Sequence, residues 1–147
     1  MTAADSQAKF FTVEQANAAL PLVRAIAQDI SQLSRSILER RERIALLRGD
    51  RQPKADDLYD DEMASAEQEV DKDITQLREY VAELAALGVE LKSAPEGLID
   101  FPAMQDGRPV YLCWKLGEPE VLFWHELDTG FGGRQSLTAD SITGPST

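Results

Sequence analysis

Apolar residues in the first half of the chain recur at alternating three- and four-residue steps, the spacing that places them along one side of a helix. The first stripe comprises Val23, Ile26, Ile30, Leu33, Ile37, Ile44 and Leu47. The second comprises Met63, Ala66, Val70, Ile74, Leu77, Val81 and Leu84. Arg40 occupies one slot of the first stripe, and the second stripe shifts near Asp73. The pattern predicts two long helices folded back as an antiparallel, coiled-coil-like hairpin.

The helix ends carry their own signals. Thr12 and Gln15 have the spacing of a capping box, and Gly88 suits a left-handed C-cap. Pro21 interrupts the first run, so we expect a short helix over 13–20 that turns at the proline into the long one. A polar segment with Gly49 and Pro53 predicts the connection between the two arms.

From Val89 onward the periodicity changes to that of strands and turns. Asp106-Gly107 is a strong hairpin signal, and Gly117-Glu118-Pro119 predicts a second turn. These turns separate apolar, alternating segments. They predict a meander of three or four antiparallel strands that ends at DTGFGG.

Strand alternation assigns the side chains of this meander to two faces. In one strand, Leu112, Trp114 and Leu116 share one predicted face. Tyr111, Cys113 and Lys115 share the other. In the next strand, Val121, Phe123 and His125 share one predicted face. Leu122, Trp124 and Glu126 share the other. Both faces hold large apolar groups. We therefore expect helices to cover one face and a second subunit to cover the other.

The predicted fold class is α+β, a long antiparallel helical hairpin followed by a small antiparallel β-meander. Residues 1–88 form the kinked N-terminal helix and the hairpin, and residues 89–137 form the meander. Residues 138–147 are expected to be a mobile tail. All of this makes one structural unit.

Charge and composition narrow the classes of function. The 147 residues carry a formal net charge of −11 and show no basic patch, which argues against binding to nucleic acid or to an anionic membrane. A single cysteine cannot form an internal disulfide. No signal-peptide pattern and no membrane-spanning run is present. A cytoplasmic location is the resulting prediction.

Three segments, FTVEQANAALPLVR, GVELKSAPEGLIDFPA and LCWKLGEPEVLFWHELDTGFGGR, together resemble a bacterial family catalogued as domain of unknown function 2203. The resemblance extends from about Phe11 to Leu137. It implies no activity, substrate or catalytic residue. It does imply that certain residues are family signature positions: Asp100, Cys113, Trp114, Gly117, Glu118, Trp124, His125, Glu126, Gly130 and Arg134.

The only histidine and the only cysteine lie close together in the last segment. A transition-metal site would need three convergent donors, for which His125, Cys113 and Asp100 are the candidates. No zinc-ligand spacing is present. We therefore favour a hydrogen-bonded structural histidine and expect no cofactor. A catalytic Cys113–His125 pair is disfavoured, because the thiol lies in an apolar strand where it would be buried and inert.

Arg134 follows a glycine-rich segment and admits two interpretations. With Asp100, Glu118 and His125 it could form a site for an anion or another small ligand. We favour the alternative, in which its guanidinium pairs with Asp100, Glu118 or Glu126 and fixes the loop to the sheet.

Two functions remain open at this point. We favour a non-enzymatic, self-associating scaffold or protein-interaction module. Its helical hairpin would reach a protein partner, and Trp124 and Trp114 would lie at an interface of a homo-oligomer, with a dimer favoured. The alternative is a domain that binds a small molecule, an anion or a metal, either as a binding protein or as an enzyme, with its site on the meander.

Overall fold

Two long helices followed by a five-stranded antiparallel sheet make up the described part of the chain, which confirms the α+β class. The computed structural model describes residues 9–49 and 57–137. The predicted connection around Pro53 and the predicted tail 138–147 lie outside these ranges. Neither described helix has the length and apolar character needed to cross a membrane. The helices are α1, Val13–Gly49, and α2, Asp57–Ala86.

Helix α1 continues through Pro21, so the short helix expected over 13–20 is not a separate element. Proline removes a backbone donor and normally weakens a helix interior. Here the residues on both sides of it bury one common stripe, in which Ala16, Leu20 and Val23 are at most 2% exposed. Pro21 itself faces solvent. Continuous burial of that stripe accounts for the unbroken helix.

Both predicted helix-end signals are confirmed. The Thr12 amide donates to Oε1 of Gln15 at 3.0 Å, and the Gln15 amide donates to Oγ1 of Thr12 at 3.0 Å. This reciprocal pair is a capping box. After α2, Gly88 has φ of +91° and its amide donates to the Ala85 carbonyl at 2.9 Å. The positive φ explains why glycine ends this helix.

The contact between the two helices is apolar near the sheet and includes charged residues farther out. Near the sheet it is apolar, and Ile30 is completely buried. Farther out, Arg40 forms an ion pair with Asp73 of α2. The two irregular positions of the sequence pattern are therefore partners in one contact between the helices. Supercoiling of the pair remains a prediction.

The strands pair in chain order, each antiparallel to the next. Their bounds are β1, Glu90–Ser93; β2, Leu98–Gln105; β3, Arg108–Lys115; β4, Phe123–His125; and β5, Gln135–Ser136. Asp106 and Gly107 both have positive φ, 52° and 82°, and join β2 to β3 as predicted. One strand more than expected is present, because the chain returns after DTGFGG and pairs with β4.

The helices cover one face of the sheet, where Phe101, Leu112 and Trp114 are completely buried. Trp124, 7% exposed, lies in the same core. Both indoles belong to the core of the single chain, with little surface left for the interface role predicted for them. Val121 also packs on this side, against the prediction. Strand β4 starts only at Phe123, so the alternation does not extend back to Val121.

The opposite face, here called the outer face, carries Asp100, Tyr111, Cys113, Phe123 and His125. Residues 126–134, here called the covering segment, follow β4, and residues 127–131 of this segment line a pocket on this face. Cys113 is 0% exposed and His125 is 2% exposed within the single chain. The second subunit expected over this face is not needed to bury them.

Candidate functional site

Three of the predicted candidate residues form one buried cluster on the outer face. Asp100 lies directly opposite Cys113 across β2 and β3. Cys113 lies opposite Phe123 across β3 and β4, so His125, two residues farther along, shares its face. Asp100 is 2% exposed. Strand pairing thus brings together residues that lie up to 25 positions apart in sequence.

Both ring nitrogens of His125 have hydrogen-bond partners. Nδ1 lies 2.6 Å from the Glu126 carbonyl oxygen, which can only accept, so Nδ1 carries a proton. Nε2 lies 3.0 Å from both Oδ1 and Oδ2 of Asp100. Bare lone pairs would repel at this distance, so a second proton bridges the two side chains. Burial raises the pKa of Asp100 despite the opposing effect of His125.

Cys113 adds a thiol beside this pair. Burial and the neighbouring Asp100 carboxyl raise the pKa of Cys113 to about 12. A nucleophilic cysteine needs a thiolate near neutral pH. Near neutral pH Cys113 is therefore the thiol rather than the thiolate.

Arg134 pairs with Glu118, as the favoured interpretation predicted. Its Nη1 and Nη2 donate to the two carboxylate oxygens at 2.7 Å each, and Nη2 lies 3.4 Å from the Cys113 carbonyl. The guanidinium carbon lies 4.0 Å from the ring centroid of Phe123 and 4.4 Å from that of Phe131. Burial raises the pKa of Glu118, but the hydrogen bonds from Arg134 and from the Lys115 amide, together with the charges of these two residues, hold that pKa below its usual value.

The predicted four-residue ligand site therefore separates into two parts. Asp100 and His125 form the buried pair, whereas Glu118 and Arg134 form what we call the latch, which ties the covering segment to the sheet. Glu118 occupies both Nη atoms of Arg134, and among the described residues its buried Nε has no hydrogen-bond partner. The anion interpretation of Arg134 stays a prediction. Glu126, the other acid considered for Arg134, accepts from Arg108 at 2.6 and 3.0 Å instead.

A pocket of about 320 Å³ lies between the outer face and the covering segment. Its lining residues are Lys92, Leu98, Asp100, Tyr111, His125, Leu127, Asp128, Thr129, Gly130 and Phe131. Sequence reasoning missed Lys92 and the covering-segment side chains as lining residues. Tyr111 carried a usable signal, since alternation placed it on the same face as Cys113. Lys92 carried none, because the register of β1 on β2 cannot be read from sequence.

One carboxylate organises the rim of this pocket. Glu90 accepts from Lys92 Nζ at 2.9 Å and from the Tyr111 hydroxyl at 2.8 Å. Burial raises the pKa of Glu90, but these two donors hold it below its usual value. The hydrogen bond to Glu90 raises the pKa of Lys92. Lys92 therefore enters the pocket with much of its charge balanced by Glu90.

Tight packing within the covering segment requires a glycine. A Cβ on Gly133 would lie 2.4 Å from Cβ of Thr129, closer than real Cβ contacts. Gly133 ends the short 3₁₀ turn Phe131–Gly133. A larger side chain would push the segment away from its present course beside the pocket.

A family model described as Uncharacterized conserved protein (DUF2203) matches residues 9–137. No curated protein and no solved structure shows significant similarity to the chain. The matched range contains both helices, all five strands, the buried cluster and the latch. The chain belongs to the uncharacterised DUF2203 family, as the resemblance of its three segments predicted.

Proposed function

We propose that the chain is a small-molecule-binding domain whose site is the outer-face pocket. The observation that carries this proposal is the position of the Asp100–His125 pair, which is buried yet lines the pocket. A buried ionisable pair is often no more stabilising than apolar packing of similar volume. A purely structural sheet therefore has little need of one, whereas a binding site uses such polar groups to orient its ligand.

The pocket favours a small, polar but not strongly anionic ligand. Its volume of about 320 Å³ falls at the lower end of the usual range for small-molecule sites. The polar groups are offset by apolar surface from Leu98, Leu127 and Phe131. Asp128 adds negative charge to the lining, and Lys92 is paired with Glu90. These features support a ligand with hydrogen-bonding groups on a compact apolar frame.

The test uses a matched pair of leucine substitutions and ¹⁵N-labelled protein. Leu127 is 52% exposed and lines the pocket, whereas Leu122 is 41% exposed and does not. Leu127→Trp should obstruct the pocket, and Leu122→Trp should leave it open. Wild type and both variants are titrated with mixtures of small amines, amides and nucleosides while amide shifts are recorded.

We expect shifts that cluster on Tyr111, His125 and the covering segment in wild type and in Leu122→Trp. Leu127→Trp should reduce them at least tenfold at equal ligand concentration. Shifts that are scattered over the surface, or that persist in Leu127→Trp, would contradict the proposal.

Self-association through the helical hairpin is a second candidate function. Beyond the sheet the hairpin exposes Leu38 and Leu46, 54% and 65%. The distal part of α1, residues 36–49, carries a net positive charge, and residues 60–73 of α2 carry a net negative one. These features support pairing with a second copy, in which the basic part of α1 in one copy lies against the acidic part of α2 in the other.

Sedimentation velocity tests this candidate. A dimer in wild type that Leu46→Glu dissociates and Leu122→Glu preserves would support it. A monomer at all protein concentrations up to the millimolar range would overturn it.

A further inference from the structure

Asp100, Cys113 and His125 offer three different donor types at one point of the outer face. Their ligand atoms all lie within 4.8 Å of one another. Ligands around a tetrahedral zinc ion are separated by roughly 3.3–3.6 Å, from ordinary Zn–N, Zn–O and Zn–S bond lengths. The side chains come from three adjacent strands, which hold their backbones in place. Small side-chain movements therefore suffice to bring the three donors around one ion.

The orientation of His125 matches that of a metal-ligating histidine. Such residues usually donate one ring N–H to a carbonyl or carboxylate, which leaves the other nitrogen for the metal. Here Nδ1 donates to the Glu126 carbonyl, and Nε2 faces the Asp100 carboxyl. The space between Nε2 and Asp100 must hold a positive species, a proton in the metal-free chain. A divalent cation can replace that proton.

We propose that Asp100 Oδ, Cys113 Sγ and His125 Nε2 bind one divalent transition-metal ion of the zinc class. A mixed nitrogen, oxygen and sulfur set favours such an ion over Mg²⁺ or Ca²⁺, which prefer all-oxygen sites. Binding releases the bridging proton and the thiol proton, so the ion is held by two anionic ligands and one neutral ligand.

Three protein ligands leave a fourth position open, as in catalytic rather than structural zinc sites. Asp100 and His125 line the pocket, whereas Cys113 does not. The open position would therefore face the pocket, and a water molecule or a ligand there would complete the coordination. Only this last step rests on the proposed small-molecule function, since the three protein ligands stand without it.

The composition of the chain makes the test unusually direct. With one cysteine and one histidine in all 147 residues, any thiolate–metal absorption must come from Cys113. Protein purified without an affinity tag is stripped with a chelator and titrated with Co²⁺, then with Zn²⁺. We expect one Co²⁺ per chain, a thiolate-to-cobalt charge-transfer band, intense tetrahedral d–d bands, and displacement of Co²⁺ by one equivalent of Zn²⁺.

Three variants assign the ligands. Cys113→Ser should abolish the charge-transfer band, and His125→Gln and Asp100→Asn should each weaken Zn²⁺ binding at least tenfold. Glu120→Gln, an exposed change of the same kind, is the control and should bind as wild type does. Circular dichroism of each variant checks that it folds. Because Cys113→Ser is nearly isosteric, it keeps the test valid if a substitution at position 100 or 125 unfolds the chain.

Absence of stoichiometric binding would overturn the inference, as would Co²⁺ binding without the thiolate band. Either result would leave the small-molecule proposal intact, since that proposal is tested separately with organic ligands. Conversely, tight Zn²⁺ binding together with no organic ligand would keep the metal site and remove the small-molecule function.

Discussion

His125 reaches across strand β3 to Asp100 on β2, where its Nε2 lies 3.0 Å from both carboxylate oxygens while both residues are 2% exposed. The outer face of the sheet is organised around this contact. Neither residue faces the helix-side core, so the pair does not serve the main packing of the domain. It lies instead beneath a pocket that the covering segment lines on one side.

Energetic coupling between these two residues is the first prediction. In metal-free protein at pH 7, His125→Phe should lower the free energy of unfolding by about 3 kcal/mol, because it leaves Asp100 buried without its partner. Asp100→Leu should cost about 1–3 kcal/mol, because Nε2 loses its hydrogen bond. The double variant should lose less than the sum, by about 1–3 kcal/mol. Urea denaturation measures all four proteins; additive losses would contradict the shared proton.

The Glu118–Arg134 latch predicts a specific loss of stability in acid. The pKa of Glu118 is lowered in the folded chain, so the folded state binds this proton more weakly than the unfolded state. The contribution of the latch is therefore present above the ordinary pKa of 4.5 and is lost as pH falls through the lower, folded pKa. In urea denaturation, Glu118→Gln should remove part of the acid dependence that wild type and the control Glu120→Gln share. If stability depends on pH in the same way in all three proteins, the latch makes no acid-sensitive contribution.

The order of the covering segment should depend on the two-point contact between Arg134 and Glu118. Arg134→Lys keeps the charge but loses the two-point contact with Glu118. We expect hydrogen exchange at the Leu137 amide, which donates to Leu122 at 2.8 Å, to accelerate about tenfold, or about 1.4 kcal/mol of local opening. Arg108→Lys changes the analogous but more exposed pair with Glu126 and should have less than a twofold effect. Equal acceleration in both variants would show that the latch has no special role.

The two ends of the hairpin should differ in their contribution to stability. Ile30 is completely buried where α1 meets the sheet, so Ile30→Ala should cost about 3 kcal/mol. Ile44 is half-buried in the part of the hairpin that extends beyond the sheet, and Ile44→Ala should cost about 1 kcal/mol or less. Urea midpoints test this difference. Similar losses at both sites would mean that the distal helices are as tightly packed as the core.

Most of the fold was predictable because its signals are local. The three- and four-residue stripes, the Thr12–Gln15 capping box and the Asp106-Gly107 turn each depend on residues close in sequence. The prediction of a separate helix before Pro21 was wrong because the effect of a proline depends on the tertiary burial of the residues around it. The return of the chain as β5 was missed for a similar reason, since a two-residue strand is defined by its neighbour rather than by its own sequence.

The candidate site was predictable only in part. Alternation grouped Cys113 with Tyr111 and His125 with Phe123, each within its own strand, but the convergence of Cys113 and His125 with Asp100 depends on the register of three strands. The pairing of Arg134 was among the alternatives considered, and the choice of Glu118 over Glu126 depends on the path of the covering segment. No sequence pattern describes that path. Lys92 enters the pocket for the same kind of reason.

Native mass spectrometry of protein purified without a metal-affinity tag tests most directly whether the outer face is a binding site. We predict wild-type chains that carry a stoichiometric extra mass, a metal ion or a small molecule. Asp100→Asn and Leu127→Trp should lose all or part of it, and Glu120→Gln should keep it. Wild type at the bare mass of its polypeptide, under conditions that preserve weak complexes, would contradict a binding site on the outer face.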